Sequence, residues 1–307
     1  MESVALHLKT ALIRHHSPRF NVNQEVWLKL ECHQQVGSFK IRGVGHFCTL
    51  AAARGARSLV SSSGGNAGYA VAFAGRQLGL PVLVVVPEST PVFVQERLRE
   101  LGARVLEHGS VWDEADCVAR RKAGDDEACY VPPFDHPDLW AGHASVIDEC
   151  ALQGPRPDAV VVSVGGGGLM CGVLQGMHRV GWDEVPLLAV ETEGAASLKA
   201  AVDHGGPIAI EAITSIAKTL GALKVAPAAW EWTTRHRVEN VLVSDRQAVA
   251  ACASFADESR NLVEPACGAA LAVAYEQLNE ARRLLIIVCG GIGVTVAQLL
   301  AWQTETA

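Results

Sequence analysis

Asp158-Ala159-Val160-Val161-Val162-Ser163-Val164-Gly165-Gly166-Gly167-Gly168-Leu169-Met170-Cys171-Gly172 is the stretch whose reading decides the fold. An almost unbroken apolar, β-branched run reads as a strand buried on both faces, as in parallel sheets. Four glycines end it, and the segment Leu169 to Val180 resumes as a helix. Residues without Cβ let consecutive N–H groups close around an anion, and the helix N-terminus adds a favourable potential. The plainer alternative is a turn that only permits close packing, although ordinary turns rarely need four glycines. GxxxxGK[ST] is absent and the GxGxxG register breaks at Met170 or Cys171. A phosphate cradle without a nucleotide motif points to another phosphorylated ligand.

The same alternation continues in both directions. Val26 to Leu30, Ser58 to Val60, Val82 to Val86, Val105 to Leu106, Leu187 to Val190, Val241 to Val243 and Leu284 to Val288 read as further buried strands. Ala67 to Leu78, Val92 to Glu100 and Arg246 to Ser259 read as helices, with Ser244 and Gln247 forming a capping box and Pro265 suiting a first helical turn. Strand and helix in alternation predict an α/β protein of βαβ crossovers, with ligands at the carboxyl ends of parallel strands. Residues 44–140 contain their own βαβαβ series, closed by Val131-Pro132-Pro133-Phe134-Asp135-His136-Pro137. They are expected to form a small inserted domain. Residues 1–43 with 141–307 form the large one, because a lone βα unit cannot bury both faces of a sheet. A cleft between the lobes is the expected place for a small ligand.

Composition narrows the function classes. With 307 residues, 49% hydrophobic and 19% charged, the chain is neither disordered nor collagen-like and has length for about two domains. A net charge of −7 lacks the basic excess that draws a protein to nucleic acid or anionic lipid. Nine cysteines, an odd number with no CxxC, read as reduced and mostly buried thiols. The opening MESVALHLKT has no charged n-region followed by an apolar h-region, so a cytoplasmic protein is expected. Ala159 to Met177 and Leu284 to Trp302 are long charge-free stretches, but glycine clusters interrupt each, and no membrane span is expected. The eleven histidines show no metal-ligand spacing such as HExxH.

Three further places could carry chemistry. Ser61-Ser62-Ser63-Gly64-Gly65-Asn66-Ala67-Gly68 lies at a strand-to-helix junction and offers hydroxyls, an amide and N–H groups to a carboxylate; a well-capped turn with Asn66 as N-cap fits equally. Lys40, in Gly37-Ser38-Phe39-Lys40-Ile41-Arg42-Gly43, stands at a helix start. A lysine there is ordinarily a solvated surface charge, but a positive helix terminus and nearby Arg42 favour the neutral amine, a nucleophile and base. Cys289 ends a strand before Gly290-Gly291, as small apolar filler or as a group facing a cofactor. A nucleophilic lysine together with a phosphate cradle suggests pyridoxal phosphate.

These motifs resemble the fold-type II pyridoxal-phosphate enzymes, specifically the short L-serine/L-threonine dehydratases and their serine-dehydratase-like relatives. GSFKIRG (37 to 43), SSGGNAG (62 to 68), PPFD (132 to 135), SVGGGGL (163 to 169), EPACGAA (264 to 270) and VCGG (288 to 291) occur in the family's order across nearly the whole chain. The resemblance implies two open, twisted, mostly parallel sheets flanked by helices, with the cofactor in the interdomain cleft. By its motifs, Lys40 corresponds to the lysine that holds the cofactor as an internal aldimine. Phe39 corresponds to its aromatic neighbour, Asn66 to the residue bonding the ring hydroxyl, and Cys289 to the residue facing the pyridine nitrogen. Gly165, Gly166, Gly167 and Gly168 correspond to the phosphate cradle, and Ser63, Gly64, Gly65, Asn66 and Ala67 to the loop that takes the substrate carboxylate.

The implied reaction is β-elimination. The freed lysine removes the α-proton of serine while the cofactor accepts the electrons, water leaves, and hydrolysis yields pyruvate and ammonia; threonine gives 2-oxobutanoate. A thiol at Cys289, where aminotransferases place a carboxylate, makes a weaker electron sink and favours prompt elimination over transamination or racemisation. Gly64 supplies no hydroxyl, whereas racemases of this fold carry a serine there. The resemblance also implies a monovalent cation, K+, at Glu191, Ala195, Ser197, Leu220 and Ala222, mainly through carbonyls. Glu191 alone reads equally as a carboxylate capping a helix start. Homodimers are common in the family, and feedback control through a further regulatory domain is not expected. The rival readings are a cysteine- or threonine-synthase-like enzyme, whose ring nitrogen usually faces serine or threonine, a non-catalytic amino-acid binder, and a nicotinamide oxidoreductase.

Overall fold

The computed structural model describes residues 5–125 and 127–306. In chain order the elements begin with β1 (Leu12–His15), β2 (Glu25–Leu30), α1 (Lys40–Ala53), β3 (Leu59–Ser61), α2 (Asn66–Leu78), β4 (Val82–Val86) and α3 (Val92–Glu100). There follow β5 (Arg104–Glu107), α4 (Trp112–Asp125), β6 (Cys129–Tyr130), α5 (Pro137–Gln153), β7 (Ala159–Ser163), α6 (Gly168–Arg179), β8 (Leu187–Thr192) and α7 (Ser197–His204). The chain continues through α8 (Pro227–Arg235), β9 (Val238–Val243), α9 (Asp245–Ser259), α10 (Pro265–Tyr275), β10 (Arg283–Val288) and α11 (Val296–Glu305). Among the described residues no helix is long and apolar enough to cross a membrane. The two long charge-free stretches instead divide at their glycines, the first into β7 and α6.

Two compact units emerge. The smaller is Gln34–Gly142 with the chain up to Leu8, and the larger is Lys9–His33 with His143–Ala307. The break expected after residue 43 is therefore corrected, because α1 runs uninterrupted through it and buries Ile41, Val44 and Phe47 in the smaller unit's core. A boundary there would have cut a helix and exposed that face.

The smaller unit holds a four-stranded parallel sheet in the order β5-β4-β3-β6. Leu59 of β3 packs on one face with Val71, Val84 and Leu98, while Val60 packs on the other with Val85, Ala115 and Val118. Both faces are covered, which is why these strands read as continuous apolar runs. The chain moves outward from β3 through β4 to β5 and then returns to the other side of β3 for β6. Strand order reverses between β3 and β6, and the loops that follow these strands diverge there.

The larger unit holds a six-stranded sheet in the order β1-β2-β10-β7-β8-β9, parallel except for β1, which runs antiparallel to β2. All five residues of β7 and all six of β8 are buried. Helix α10 is buried along its whole length, so it shows no polar stripe. The expected capping box at α9 is present, Ser244 Oγ accepting from the Gln247 amide at 3.2 Å and Gln247 Oε1 accepting from the Ser244 amide at 2.9 Å. Pro265 occupies the first turn of α10. Here the order reverses between β7 and β10, so the loops after Ser163 and after Val288 flank this second reversal.

Candidate active site

In the smaller unit, Lys40 is the first residue of α1 and half-buried, and its Nζ donates to the Pro133 carbonyl at 2.6 Å. Its Nζ also lies 5.2 Å from the centroid of the Phe39 ring. The lysine is therefore tied into the Val131–Pro137 turn rather than extended into water. Two residues earlier, Ser38 Oγ is buried without a hydrogen-bond partner.

The Ser61–Gly68 segment is the β3–α2 junction. Gly65 is the N-cap of α2 and Asn66 its first residue, so the reading of Asn66 as the cap is corrected. The loop folds on itself, Ser63 Oγ accepting from the Gly65 amide at 3.2 Å. Gly68 permits the fold-back, since a Cβ there would lie 1.6 Å from the Ser63 carbonyl oxygen. The early amides of a helix have no intrahelical acceptor, so this junction can receive a carboxylate.

In the larger unit, the glycine loop follows β7 and opens α6. Gly167 has φ +89°, left-handed backbone that favours glycine, and a Cβ on it would sit 2.4 Å from Ala229 Cβ. A Cβ on Gly165 would sit 2.9 Å from Leu220 Cα. Small residues here bring peptide groups together at the N-terminus of a 12-residue helix. Ser163 Oγ, at the mouth of the loop, is buried and without a hydrogen-bond partner.

Cys289 follows β10 and is buried. Beside it lies Cys267, whose Sγ accepts from the Gly290 amide at 3.4 Å. Burial, followed by the hydrogen bond with Cys289, pushes the Cys267 thiol well above its ordinary value. Burial likewise pushes Cys32 up to about 12. All nine cysteines are free and six are buried, as expected, while Cys117 is exposed and Cys32 and Cys129 are half-buried.

Glu191, at the end of β8, is fully buried and holds the start of α7, its Oε1 and Oε2 accepting from the Leu198 and Lys199 amides at 2.7 and 2.8 Å. Burial pushes its carboxyl up to about 7, against the lowering effect of those amides and Lys199. Ala195 and Leu220 are buried, Ala222 is half-buried, and Ser197 Oγ is buried with no hydrogen-bond partner.

Sequence reasoning missed several supporting groups. Glu264, 4% exposed, accepts from Thr219 Oγ1 at 2.7 Å and from the Gly293 amide at 3.3 Å, joining the segment beside Leu220 to the loop after Cys289. Asp116 on α4 accepts from Ser62 Oγ at 2.6 Å. An acid on an apparently solvated helix gives no sequence signal of such a role.

The family model "Pyridoxal-phosphate dependent enzyme" matches residues 5–290. A mouse protein, "Serine dehydratase-like", is 49% identical over 286 residues, 89% of this chain and 87% of that protein. The human "L-serine dehydratase/L-threonine deaminase" is 43% identical over 99% of this chain and 97% of its own length. The crystal structure of a fungal L-serine ammonia-lyase from Rhizomucor miehei matches with a TM-score of 0.91 and 32% identity, over 98% of this chain and 99% of that one.

The residues present fit that family's cofactor. A primary amine is held at Lys40, a glycine loop that a Cβ at Gly165 or Gly167 would crowd opens α6, and the unpartnered Ser38 and Ser163 hydroxyls lie in the immediate sequence neighbourhood of the two.

Proposed function

This chain belongs to the pyridoxal-phosphate dependent enzyme family, and from that premise we propose that it eliminates water from L-serine, and from L-threonine, releasing ammonia with pyruvate or 2-oxobutanoate. The observation that carries the reading is the Lys40 amine held on the Pro133 carbonyl. Bound pyridoxal phosphate supplies an aldehyde that condenses with amines and a conjugated ring that takes up the electron pair of a substrate Cα–H bond. Lys40 Nζ is the amine that would hold the cofactor, and as a free amine it would move the α-proton of the substrate. Phe39 and Asn66 would help to hold the ring, and the backbone amides of Gly165 to Gly168 would hold the phosphate. Cys289 would offer the ring a thiol, which does not keep a proton in place as a carboxylate does, and a weaker electron sink of that kind would favour loss of the β-hydroxyl.

Ser63 to Ala67 bind the substrate carboxylate, which orients the Cα–H bond towards the lysine. Gly64 offers no hydroxyl as a second base on the opposite face, which disfavours racemisation. A monovalent cation, K+, fits the carbonyls of Ala195, Ser197, Leu220 and Ala222 with Glu191; the buried, unpartnered Ser197 hydroxyl supports a polar occupant there. A homodimer that works in the cytoplasm is the form in keeping with its family resemblance.

The test is to purify the protein with its cofactor and measure visible absorbance and ketoacid release from both amino acids. The parent is expected to show the visible absorption band of a lysine-bound cofactor and to release pyruvate from serine. Lys40→Ala is expected to lose the band and roughly 10³-fold or more of the rate, in the upper part of the range for proton-transfer groups. A fully active Lys40→Ala protein defeats the reading.

A further inference from the structure

We infer that Asp116 is a positioning residue for the carboxylate-binding loop, acting through Ser62 and Tyr130. The inference rests on the assignment of Ser63 to Ala67 as that loop and names what sets its position.

The argument begins where the sheet of the smaller unit stops. Strands β3 and β6 pair through Leu59 with Cys129 and Val60 with Tyr130, and the connection ends with the Val131 amide donating to the Val60 carbonyl at 2.8 Å. Beyond that point the two chains diverge, one into the carboxylate loop and the other into the turn whose Pro133 carbonyl holds Lys40. Backbone pairing no longer fixes their separation. Side chains take over: Ser62 Oγ lies 3.1 Å from Tyr130 Oη, and both donate to the same oxygen, Asp116 Oδ1, Ser62 at 2.6 Å. One carboxylate thus ties together the two strand ends from which both catalytic loops emerge.

The carboxylate is itself braced. Arg120, one turn along α4, donates through Nε to Asp116 Oδ2 at 2.7 Å and through Nη2 to Tyr130 Oη at 3.3 Å. Its guanidinium carbon stands 4.2 Å from the centroid of the Tyr130 ring, a cation–π contact. Burial pushes the Asp116 carboxyl up, but the hydrogen bonds from Ser62, Tyr130 and Arg120 outweigh it and hold it below its usual value. Burial and the bond to Asp116 push the Tyr130 phenol well up, so it remains a donor. Charge-assisted bonds of this kind are shorter and stronger than neutral ones, which suits a fixed strut.

Ser62 is fully buried and touches no substrate in this scheme; its role is to fix where Ser63 begins. Lys40 is carried by helix α1 rather than by either strand end, so loosening Ser62 leaves the lysine in place while the loop amides lose their aim. A change of that kind weakens ground-state and transition-state binding alike, raising KM with little effect on kcat.

The experiment uses the holoenzyme with Asp116→Asn, Tyr130→Phe, Ser62→Ala and the Asp116→Asn/Ser62→Ala pair. Measured are hydrogen exchange of the amides of residues 63–68, KM and kcat for serine, and the cofactor band. Asp116→Asn is expected to speed exchange in the loop and raise KM roughly tenfold, ~1.4 kcal/mol, with kcat and the band nearly unchanged. Tyr130→Phe shifts both readouts in the same direction and less far. The double variant is no worse than Asp116→Asn alone, because both changes break one unit. Unchanged loop exchange and KM in folded variants overturn the inference, as does loss of kcat and of the band together with KM. If Asp116→Asn does not fold, Tyr130→Phe decides by the same readouts. If the parent releases no ketoacid, the proposed activity fails, and loop exchange still judges the strut without turnover.

Discussion

The two strand-order reversals of this molecule do the same topological job by opposite means. At β3/β6 the diverging loops are held by polar side chains, Ser62 and Tyr130 meeting on Asp116. At β7/β10 the loop is shaped by missing side chains, Gly165 closing on Leu220 and Gly167 on Ala229. Parallel strands place ligand-binding loops at such reversals, so each unit has a βα junction suited to a ligand. What differs is how each can be tuned. A polar strut can be weakened one hydrogen bond at a time, which suits a substrate that must enter and leave. A glycine loop offers almost no intermediate states, which suits a phosphate that stays. In this reading the first region controls amino-acid affinity and the second controls cofactor retention.

Alanine at one glycine in each region can break that division. Gly68→Ala places a Cβ against the Ser63 carbonyl oxygen, backbone that cannot swing aside. It is expected to lower serine affinity roughly 100-fold, ~2.7 kcal/mol, while the cofactor is retained. Gly167→Ala forces an L side chain into left-handed backbone at about 1–2 kcal/mol and presses on Ala229 as well. It is expected to release cofactor roughly tenfold more readily, ~1.4 kcal/mol, with little effect on the 63–68 loop. Spectral titration with serine and cofactor retention on gel filtration measure the two. If both variants lose the same property, the contrast between the regions is wrong.

Replacing K+ with tetramethylammonium sharpens the comparison more gently. The carbonyls assigned to the cation include Leu220, the residue on which Gly165 closes. Withdrawing the ion is expected to weaken cofactor retention severalfold and to leave hydrogen exchange across residues 63–68 unchanged. Equal loosening of both loops would count against the division, and no effect on cofactor retention would remove the ion from the cradle.

How much of this was legible beforehand follows from the same contrast. The strand, glycine turn and helix around residues 159–179 were readable because an unbroken apolar run cut by four glycines marks a buried strand ending in a turn. The resemblance to known dehydratases then supplied roles for Lys40, Asn66 and Cys289 that spacing alone could not. Strand β1, Leu12–His15, escaped because it is a short antiparallel edge carrying Arg14 and His15. Strand β6 escaped because two residues, Cys129–Tyr130, carry no period. The division at residue 43 failed because periodicity does not reveal which sheet a helix covers. Asp116 was invisible for a related reason: in Trp112-Asp113-Glu114-Ala115-Asp116 one acid points to Ser62, and the sequence gives its neighbours the same solvated appearance. Burial is a property of tertiary packing, and a charge partnered 54 residues away leaves no local trace.

Gly64→Ala is the smallest expected change. A Cβ there would lie 3.2 Å from Thr90 Cγ2 and 3.3 Å from Val86 Cγ1, both side-chain methyls, and no positive φ opposes the substitution. Moving two methyls by a few tenths of an ångström carries a small overpacking cost, while the reduced freedom of the unfolded chain returns about 0.4–1 kcal/mol. The two effects nearly cancel. Thermal unfolding and KM for serine are therefore expected to shift by no more than about 1 kcal/mol in equivalent free energy, with kcat within about twofold, ~0.4 kcal/mol. A large loss would mean that this loop is intolerant of a methyl even where only side-chain methyls stand in the way, and that it has none of the adjustability assigned to the polar-strutted region.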